Sequence, residues 1–261
     1  MFDKRHTRWK DKLIPLYGQR ETENMWRWYQ EAARSEELFE LDLEKLQNYY
    51  PIQYLTGHTF FYDLKFLVNK HTLIPRPETE ELVYQVLADH KEKTRLRVID
   101  LGTGSGCIAI TLQKHRPDWS VTGIDFSPET LHMARKNADL HDVHIHWKVD
   151  NILELPQNFL AEYDIVVSNP PYIRPHEKSS LDLNLDYEPE SALFTRDADG
   201  LEFYEAIQLR SRYLREGASI YLEMNHHTSK HIAELFSHSG YHEIRIIKDL
   251  QGLNRILKVT I

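Results

Sequence analysis

Three glycines alternate with other residues in one segment, Asp100-Leu101-Gly102-Thr103-Gly104-Ser105-Gly106, which follows a predicted strand and opens a predicted helix. Glycine is needed where the backbone φ angle is positive or where a ligand lies against bare backbone. The first turn of the helix offers free N–H groups to a carboxylate. The spacing differs from the Gly-x-Gly-x-x-Gly of dinucleotide binders. The segment predicts a ligand-binding loop, with a tight strand-to-helix turn as the alternative.

Acidic and amide side chains stand at the ends of the next two predicted strands. Asp125 ends the second strand, where doubly wound folds place an acid that accepts hydrogen bonds from ribose hydroxyls. Together with the glycine loop, Asp125 therefore predicts ribose binding, and the alternatives are a helix N-cap or a solvent-facing acid. Asp150-Asn151 follows the third strand and is interpreted as a similar site for adenine contacts.

The segment Ser168-Asn169-Pro170-Pro171-Tyr172 follows the fourth predicted strand and is therefore expected at the same sheet edge as the glycine loop. Its two prolines remove two N–H donors and fix an extended path. The Asn169 side chain and the Pro170 carbonyl are then paired acceptors for the two donors of a planar –NH2 group, and Tyr172 can cover its flat face. The segment predicts a pocket for an amide or amine nitrogen, with an Asn-Pro-Pro turn as the alternative.

An alternation of strands and helices must position these segments. It predicts a mostly parallel sheet covered on both faces. The segment from Ile173 to Asp199 is long, polar and without clear periodicity, which is typical of a lid, a binding loop or a disordered segment. Predicted strands occupy residues 96–101, 121–125, 143–149, 163–168, 218–223, 243–247 and 255–260, and predicted helices occupy 108–114, 128–140, 201–214 and 229–239.

The first 77 residues have a different character. Residues 1 to about 50 are predicted to form short helices whose tryptophans lie in a core. Aromatic-rich runs on either side of Asp63-Leu64 predict a β-hairpin. The prolines of Ile74-Pro75-Arg76-Pro77-Glu78-Thr79-Glu80 force an extended backbone, and Pro77 can start a helix. We expect a helical domain at 1–55, a hairpin linker at 56–77 and a sheet domain at 78–261.

Composition bounds the class of protein. The 261 residues carry a formal net charge of −8, which argues against binding nucleic acid mainly through phosphates. Without a long apolar run, an apolar leader or a second cysteine beside Cys107, the chain is expected to be cytoplasmic. Cys107 is interpreted as a small packing residue. A solvated helix face is the interpretation of the basic cluster Lys4, Arg5, Arg8, Lys10 and Lys12.

Two histidine pairs could suggest a metal ion. His227 and His231 are four residues apart on a predicted helix, and His144 and His146 share a predicted strand face. With neither a cysteine partner nor a His-Glu-x-x-His pattern, we expect no metal site.

Together these residues resemble the release-factor glutamine methyltransferases, the HemK/PrmC family. The resemblance runs from about residue 51 to the C-terminus, and the Pro-Arg-Pro-Glu-Thr-Glu stretch is its specific part. It includes Pro51 to Gly57, Phe60-Phe61, Ile74 to Glu80, Asp100 to Gly106, Asn169 to Tyr172, Tyr187-Glu188-Pro189, Asp199-Gly200-Leu201, Asp249, Gly252 and Arg255.

The resemblance implies an α/β protein with the Rossmann-like, seven-stranded fold of class I methyltransferases that depend on S-adenosylmethionine. The last strand would be antiparallel, and a small N-terminal helical domain that helps dock the release factor would be joined through the β-hairpin. The implied reaction transfers a methyl group to the side-chain amide nitrogen of the glutamine in the Gly-Gly-Gln loop of peptide chain release factors.

The resemblance also implies site residues. The catalytic residues would be Asn169, Pro170 and Tyr172, and these three with Pro171 would hold the glutamine. Asn169 would touch both glutamine and cofactor. Arg76, Pro77 and Glu78 would close the cofactor pocket. Cofactor binding would further involve Gly102, Thr103, Gly104, Ser105, Gly106, Asp125 and Asn151.

Other functions stay open at this point. A methyltransferase acting on adenine in DNA or RNA would also place a planar amine in a proline-walled pocket. The same chemistry could act on a glutamine of a ribosomal protein. An interaction protein could keep the cofactor pocket without turnover. We expect a monomer that acts on release factors and binds neither nucleic acid nor membrane directly.

Overall fold

The computed structural model describes residues 4–237 and 240–261. Residues 238 and 239, which end the helix predicted over 229–239, lie outside the described residues. Throughout the described ranges, no helix combines the length and apolar character needed to cross a membrane.

Three helices form the N-terminal part of the protein. Helix α1 (Lys4–Glu31) is interrupted at Gly18, whose φ of 76° and ψ of 165° are not helical. Helices α2 (Phe39–Gln47) and α3 (Ile52–Thr56) follow. The predicted core position of the tryptophans is confirmed for Trp9 and Trp26, while Trp28 is half-buried and stacks on His58. These helices share a core of Trp9, Leu13, Met25, Trp26, Tyr29, Phe39, Leu43, Leu46, Ile52 and Leu55.

The basic cluster near the start lies on the outside of this helical part, and three of its five side chains pair with acids on the same or neighbouring elements. The interpretation as a solvated helix face is therefore confirmed for these residues. The pairs are Arg5–Glu36 at 3.7 Å, Arg8–Glu40 at 2.7 Å and Lys10–Glu23 at 2.6 Å.

The predicted hairpin and the helix after it are confirmed. Strands β1 (His58–Phe61) and β2 (Leu64–Leu67) pair antiparallel across a two-residue turn. Both turn residues have positive φ, as a tight hairpin turn requires. An extended stretch then leads to α4 (Pro77–Asp89), in which Pro77 occupies the first helical position because it needs no N–H there.

The sheet has seven strands in the order β5-β4-β3-β6-β7-β9-β8. Strands β3 to β7 run parallel, and β9 is antiparallel to both neighbours, as the family resemblance implies. The remaining elements are β3 (Arg97–Leu101), α5 (Cys107–His115), β4 (Ser120–Asp125), α6 (Pro128–Leu140), β5 (His146–Val149), β6 (Ile165–Ser168), α7 (Glu190–Leu193), α8 (Glu202–Ser211), β7 (Ser219–Glu223), α9 (Ser229–Ser237), β8 (Glu243–Lys248) and β9 (Asn254–Thr260).

Both faces of the sheet carry a hydrophobic core. Along β6, Ile165 and Val167 point to one face and Val166 points to the other, as strand geometry dictates. Helices α4, α5 and α6 cover the first face, and α8 and α9 cover the second. Cys107 is buried in the first core, which confirms its packing role. The prediction of a sheet covered on both sides is confirmed.

Two local expectations are wrong, and both concern the placement of histidine pairs. The segment from Ile173 to Asp199 contains 3-10 turns at Pro175–Ser180 and Leu183–Tyr187 besides α7, and its interpretation as a lid or a binding loop stays a prediction. Its lack of helical periodicity reflects turns too short to show a repeat. His227 precedes α9, and His144 precedes β5, so neither histidine pair lies on the predicted element.

Candidate active site

The glycine loop joins the end of β3 to the start of α5. Gly102, Gly104 and Gly106 have φ angles of 72°, 58° and 83°, a region that side chains disfavour. A Cβ on Gly106 would lie 2.9 Å from Ile110 Cδ1 and 3.1 Å from Trp147 Cη2. Gly104 would meet nothing within 4 Å. Gly106 thus allows close packing beneath the loop, while Gly104 leaves the loop surface open.

Asp125 braces this loop from the end of β4. Its Oδ2 accepts a hydrogen bond from the Gly104 N–H at 3.0 Å, and its Oδ1 accepts one from the Ser127 N–H at 3.0 Å. The carboxyl is buried, and burial raises its pKa. Ser127 is the N-cap of α6, and its side chain accepts from the Thr130 N–H. Both alternatives weighed for Asp125, an N-cap and a solvent-facing acid, are therefore wrong.

A cavity of about 890 Å³, counted with its open mouth, lies against the glycine loop. Ten of its lining residues were individually predicted to bind cofactor or substrate: Arg76, Gly102, Thr103, Gly104, Ser105, Asp125, Asp150, Asn151, Asn169 and Pro171. Gly106, Pro77 and Glu78 were also predicted to contribute to the cofactor pocket, but none of them is part of the lining. Apolar residues line the rest of the wall, among them Leu73, Ile108, Phe126, Ile152 and Phe203.

The Asn151 side chain caps the 3-10 turn Ile152–Glu154. Its Oδ1 accepts from the Leu153 N–H at 3.1 Å, and its Nδ2 donates to Glu154 Oε1 at 2.9 Å. Asn151 therefore shapes the wall of the cavity at the end of β5.

A second, smaller cavity of about 300 Å³ lies behind the Asn-Pro-Pro-Tyr segment. Pro170 and Tyr172 line only this cavity, whereas Asn169 and Pro171 line both cavities. Burial raises the pKa of the Tyr172 hydroxyl well above its usual range, so that hydroxyl stays neutral. Asn169 thus stands in the wall between the larger cavity and a smaller one lined by prolines and a tyrosine.

Two polar residues that the sequence analysis missed hold Asn169. Its Nδ2 donates to Thr79 Oγ1 at 3.1 Å, and that hydroxyl donates to Glu223 Oε2 at 2.7 Å. Glu223 ends β7 and is 1% exposed. Burial raises the pKa of the Glu223 carboxyl to about 7, against the lowering effects of the Thr79 hydrogen bond and of Arg255. Thr79 lines the larger cavity, so its place within Pro-Arg-Pro-Glu-Thr-Glu was an available signal.

Arg76 lines both cavities and is held by a buried partner. Its guanidinium forms an ion pair with Glu188 Oε1 at 2.5 Å, and Glu188 Oε2 accepts from the Ile74 N–H at 2.9 Å. The neighbouring Tyr187 hydroxyl donates to the Asn48 carbonyl at 2.8 Å. The segment after β6 is thereby attached both to the extended stretch before α4 and to the N-terminal helices.

The chain is similar in sequence to known methyltransferases. A family model described as Methyltransferase small domain matches residues 79–185. The chain is 43% identical to the release factor glutamine methyltransferase of Flavobacterium psychrophilum, over 85% of this chain and 79% of that protein. It is 38% identical to the release factor glutamine methyltransferase of Bacteroides thetaiotaomicron, over 95% of this chain and 83% of that protein.

Solved structures support the fold. The hMettl16 catalytic domain, crystallised with a MAT2A 3'UTR hairpin, matches with a TM-score of 0.60 at 17% identity, covering 76% of this chain and 74% of that one. A methyltransferase from Pyrococcus furiosus matches with a TM-score of 0.55 at 16% identity, covering 77% of this chain and 90% of that one. At these identities the likeness concerns the class I methyltransferase fold alone.

Proposed function

Since this chain belongs to the release factor glutamine methyltransferase family, we propose that it methylates the glutamine of the Gly-Gly-Gln loop of peptide chain release factors on its side-chain amide nitrogen. The methyl donor is S-adenosylmethionine. The enzyme is accordingly a protein-(glutamine-N5) methyltransferase.

The observation that carries the proposal is the position of Asn169 between two cavities. A transfer between two substrates needs both reacting atoms at one point, with each substrate held on its own side. The larger cavity would hold the donor, and the smaller one would hold the flat glutamine amide. Asn169 and Pro171 are shared by both linings, so the reacting atoms would meet beside Asn169.

The residues of the larger cavity fit S-adenosylmethionine. Ser105 Oγ is buried and has no hydrogen-bond partner among the described residues, so a polar ligand can satisfy it. Asp125 would supply acceptors for ribose hydroxyls, Asp150 and Asn151 would contact the adenine, and the apolar wall suits the adenine ring. The first turn of α5 offers N–H groups to the carboxylate of the methionine part. When bound, the cofactor supplies a methyl group on a sulfonium sulfur, which is already activated for transfer.

The protein's own contribution is alignment. Asn169 Oδ1 and the Pro170 carbonyl would accept the two N–H donors of the glutamine amide. Pro170 and Pro171 have no N–H of their own, so no backbone donor competes for those acceptors. Tyr172 would cover the flat face of the amide. The lone pair of the nitrogen would then face the larger cavity. Asn169 has no basic group, so the proton would leave after transfer, to water or a nearby carboxylate.

We extend the proposal to the rest of the chain. Residues 1–55 would form a domain that helps to dock the release factor, 56–77 the hairpin linker and 78–261 the methyltransferase domain. The protein would act as a monomer in the cytoplasm, where release factors work. The net charge of −8 supports a protein substrate over direct contact with nucleic acid.

A methyl-transfer assay with labelled S-adenosylmethionine tests the proposal. A purified release factor is offered beside its Gln→Ala loop variant, a ribosomal protein fraction and a DNA control. We expect label on the release factor that disappears in the Gln→Ala variant. Label on DNA would assign the protein to the adenine methyltransferases. Label on a ribosomal protein would identify that protein, and not the release factor, as the substrate. Cofactor binding without labelling of any of them would favour an interaction protein.

A further inference from the structure

The side chain of Asn169 has two ends that differ chemically but have nearly the same shape. The oxygen end accepts hydrogen bonds, and the nitrogen end donates two. A glutamine –NH2 group needs the acceptor end. Rotating the amide by half a turn would present donors to a donor group and prevent binding. Something in the protein must therefore fix the orientation of this amide.

The hydrogen bonds around Thr79 fix it by their direction. An ionised carboxylate only accepts, so Glu223 Oε2 takes the single hydroxyl hydrogen of Thr79 at 2.7 Å. The Thr79 oxygen then has only lone pairs to offer to Asn169, at 3.1 Å. Only the nitrogen end of the Asn169 amide can face it. The oxygen end is therefore turned away from Thr79.

We propose that Thr79 and Glu223 are positioning residues that orient the Asn169 amide, so that Asn169 Oδ1 faces the methyl acceptor. The inference rests on the proposed function, because it assigns that oxygen the task of binding a glutamine –NH2 group. Glu223 itself lines neither cavity and acts through Thr79, which lines the larger one. Neither residue is a proton acceptor in this scheme.

A hydrogen bond to its backbone and burial of its side chain hold Glu223 in place. Its backbone carbonyl accepts from the Tyr204 hydroxyl at 2.9 Å, and Tyr204 is fully buried. The carboxyl cannot turn to water, because the side chain lies inside the protein. The charged and titratable groups that act on it come from all the surrounding elements: Arg76, Glu78, Cys107, Tyr172, Tyr204 and Arg255.

Protonation of Glu223 would remove the constraint that makes the Thr79 hydroxyl donate to Glu223. A protonated carboxyl can donate to the Thr79 oxygen, which frees the Thr79 hydrogen to point at Asn169 and stabilises the reversed amide. Because burial raises the pKa of Glu223 to about 7, the ionised form prevails above that pH. Activity should therefore rise as the pH increases through about 7 and level off above it.

Three variants test the proposal in the methyl-transfer assay. Thr79→Val keeps the shape and removes the hydroxyl, and Glu223→Gln removes the charge. Each should lower kcat/KM for the release factor roughly 10-fold, the equivalent of one hydrogen bond. Thr79→Ser restores the hydroxyl and should stay within about 2-fold of the wild type. Glu223→Gln should also lose the rise in activity near pH 7 while its Kd for S-adenosylmethionine stays within about 2-fold.

Thr111→Val is the matched control, since Thr111 is another buried threonine and its hydroxyl has no partner within the described part of the chain. It should behave as the wild type. Wild-type rates in Thr79→Val, equal losses in Thr79→Ser and Thr79→Val, or an unchanged pH profile in Glu223→Gln would each overturn the proposal.

A second readout separates this inference from the proposed function. If wild-type protein labels no release factor, the proposed function fails. The orientation of Asn169 is then judged by the NMR signals of its side-chain –NH2 group. These signals should shift with pH near 7 in the wild type and not in Glu223→Gln. An identical pH response in both proteins would overturn the positioning role.

Discussion

Arg76 and Glu188 lie 112 residues apart in the sequence and form an ion pair of 2.5 Å. The Glu188 side chain is fully buried, whereas that of Arg76 keeps 29% of its surface exposed. A buried carboxylate is tolerated only when its lone pairs are used, and Glu188 also accepts from the Ile74 N–H. This pair therefore attaches the segment after β6 to the stretch that leads into α4.

Substitution of Glu188 should destabilise the protein according to how many of these bonds remain. Glu188→Gln keeps an acceptor and should cost about 1–2 kcal/mol, since the partly exposed Arg76 can turn to water. Glu188→Ala also leaves the Ile74 N–H unpaired and should cost about 2–4 kcal/mol. Urea unfolding measures both. Equal costs for the two variants would contradict the role given to the Ile74 bond.

Glu190→Gln is the control in that experiment. Glu190 also pairs with a cation, Lys178, but its side chain is 73% exposed. Surface ion pairs contribute little, so this variant should change the free energy of unfolding by less than about 0.5 kcal/mol.

The sequence predicts the sheet well because its signals are local. Buried parallel strands appear as apolar runs, and the Pro77 and Ser127 signals mark helix starts within one turn of chain. The bond between Thr79 and Glu223 joins residues 144 positions apart, so no periodicity could reveal it. The short turns between Ile173 and Asp199 were missed for a related reason, since packing against distant residues such as Arg76 holds them.

Removal of the Asn169 side chain should lower turnover strongly while leaving the stability of the fold nearly unchanged. Asn169→Ala deletes one of the two acceptors for the glutamine amide, and the loss of one positioned polar group costs about 100- to 1000-fold in turnover. The free energy of unfolding should change by less than about 1 kcal/mol, because Asn169 contributes one hydrogen bond to the fold. Single-turnover methyl transfer with saturating cofactor measures the first quantity. Undiminished turnover would rule out the proposed holding of the amide.

Asp125 should control cofactor affinity in two ways. Asp125→Ala removes the acceptor proposed for the ribose and also the acceptor that braces the Gly104 N–H. We expect Kd for S-adenosylmethionine to rise by at least about 10-fold, equivalent to one charged hydrogen bond or more. Calorimetric titration measures it, with Asp139→Asn on the exposed side of α6 as a control. Unchanged affinity in Asp125→Ala would show that the ribose assignment is wrong.

Alanine substitutions at two glycines of the loop should affect different properties, one the affinity for the cofactor and the other the stability. Gly104 and Gly106 share a positive φ, which costs a side chain about 1–2 kcal/mol. A methyl group on Gly104 meets open space at the cavity wall, while one on Gly106 is driven against Ile110 and Trp147. Gly104→Ala should therefore lose mainly cofactor affinity. Gly106→Ala should lose about 2–5 kcal/mol of stability, the strain plus overpacking.

Gly217→Ala isolates the strain alone. Gly217 has a φ of 81°, meets nothing within 4 Å and lies outside the cavity lining. Its variant should lose about 1–2 kcal/mol and bind cofactor normally. Urea unfolding and calorimetric titration of the three variants give both quantities. The backbone strain is common to all three variants. The loss of stability in Gly106→Ala beyond that in Gly217→Ala therefore measures packing beneath the loop. The loss of affinity in Gly104→Ala beyond that in Gly217→Ala measures how closely the cofactor approaches the backbone. Equal stability of Gly106→Ala and Gly217→Ala would mean that Ile110 and Trp147 move aside without a loss of stability. Normal cofactor binding by Gly104→Ala would place the cofactor away from the loop.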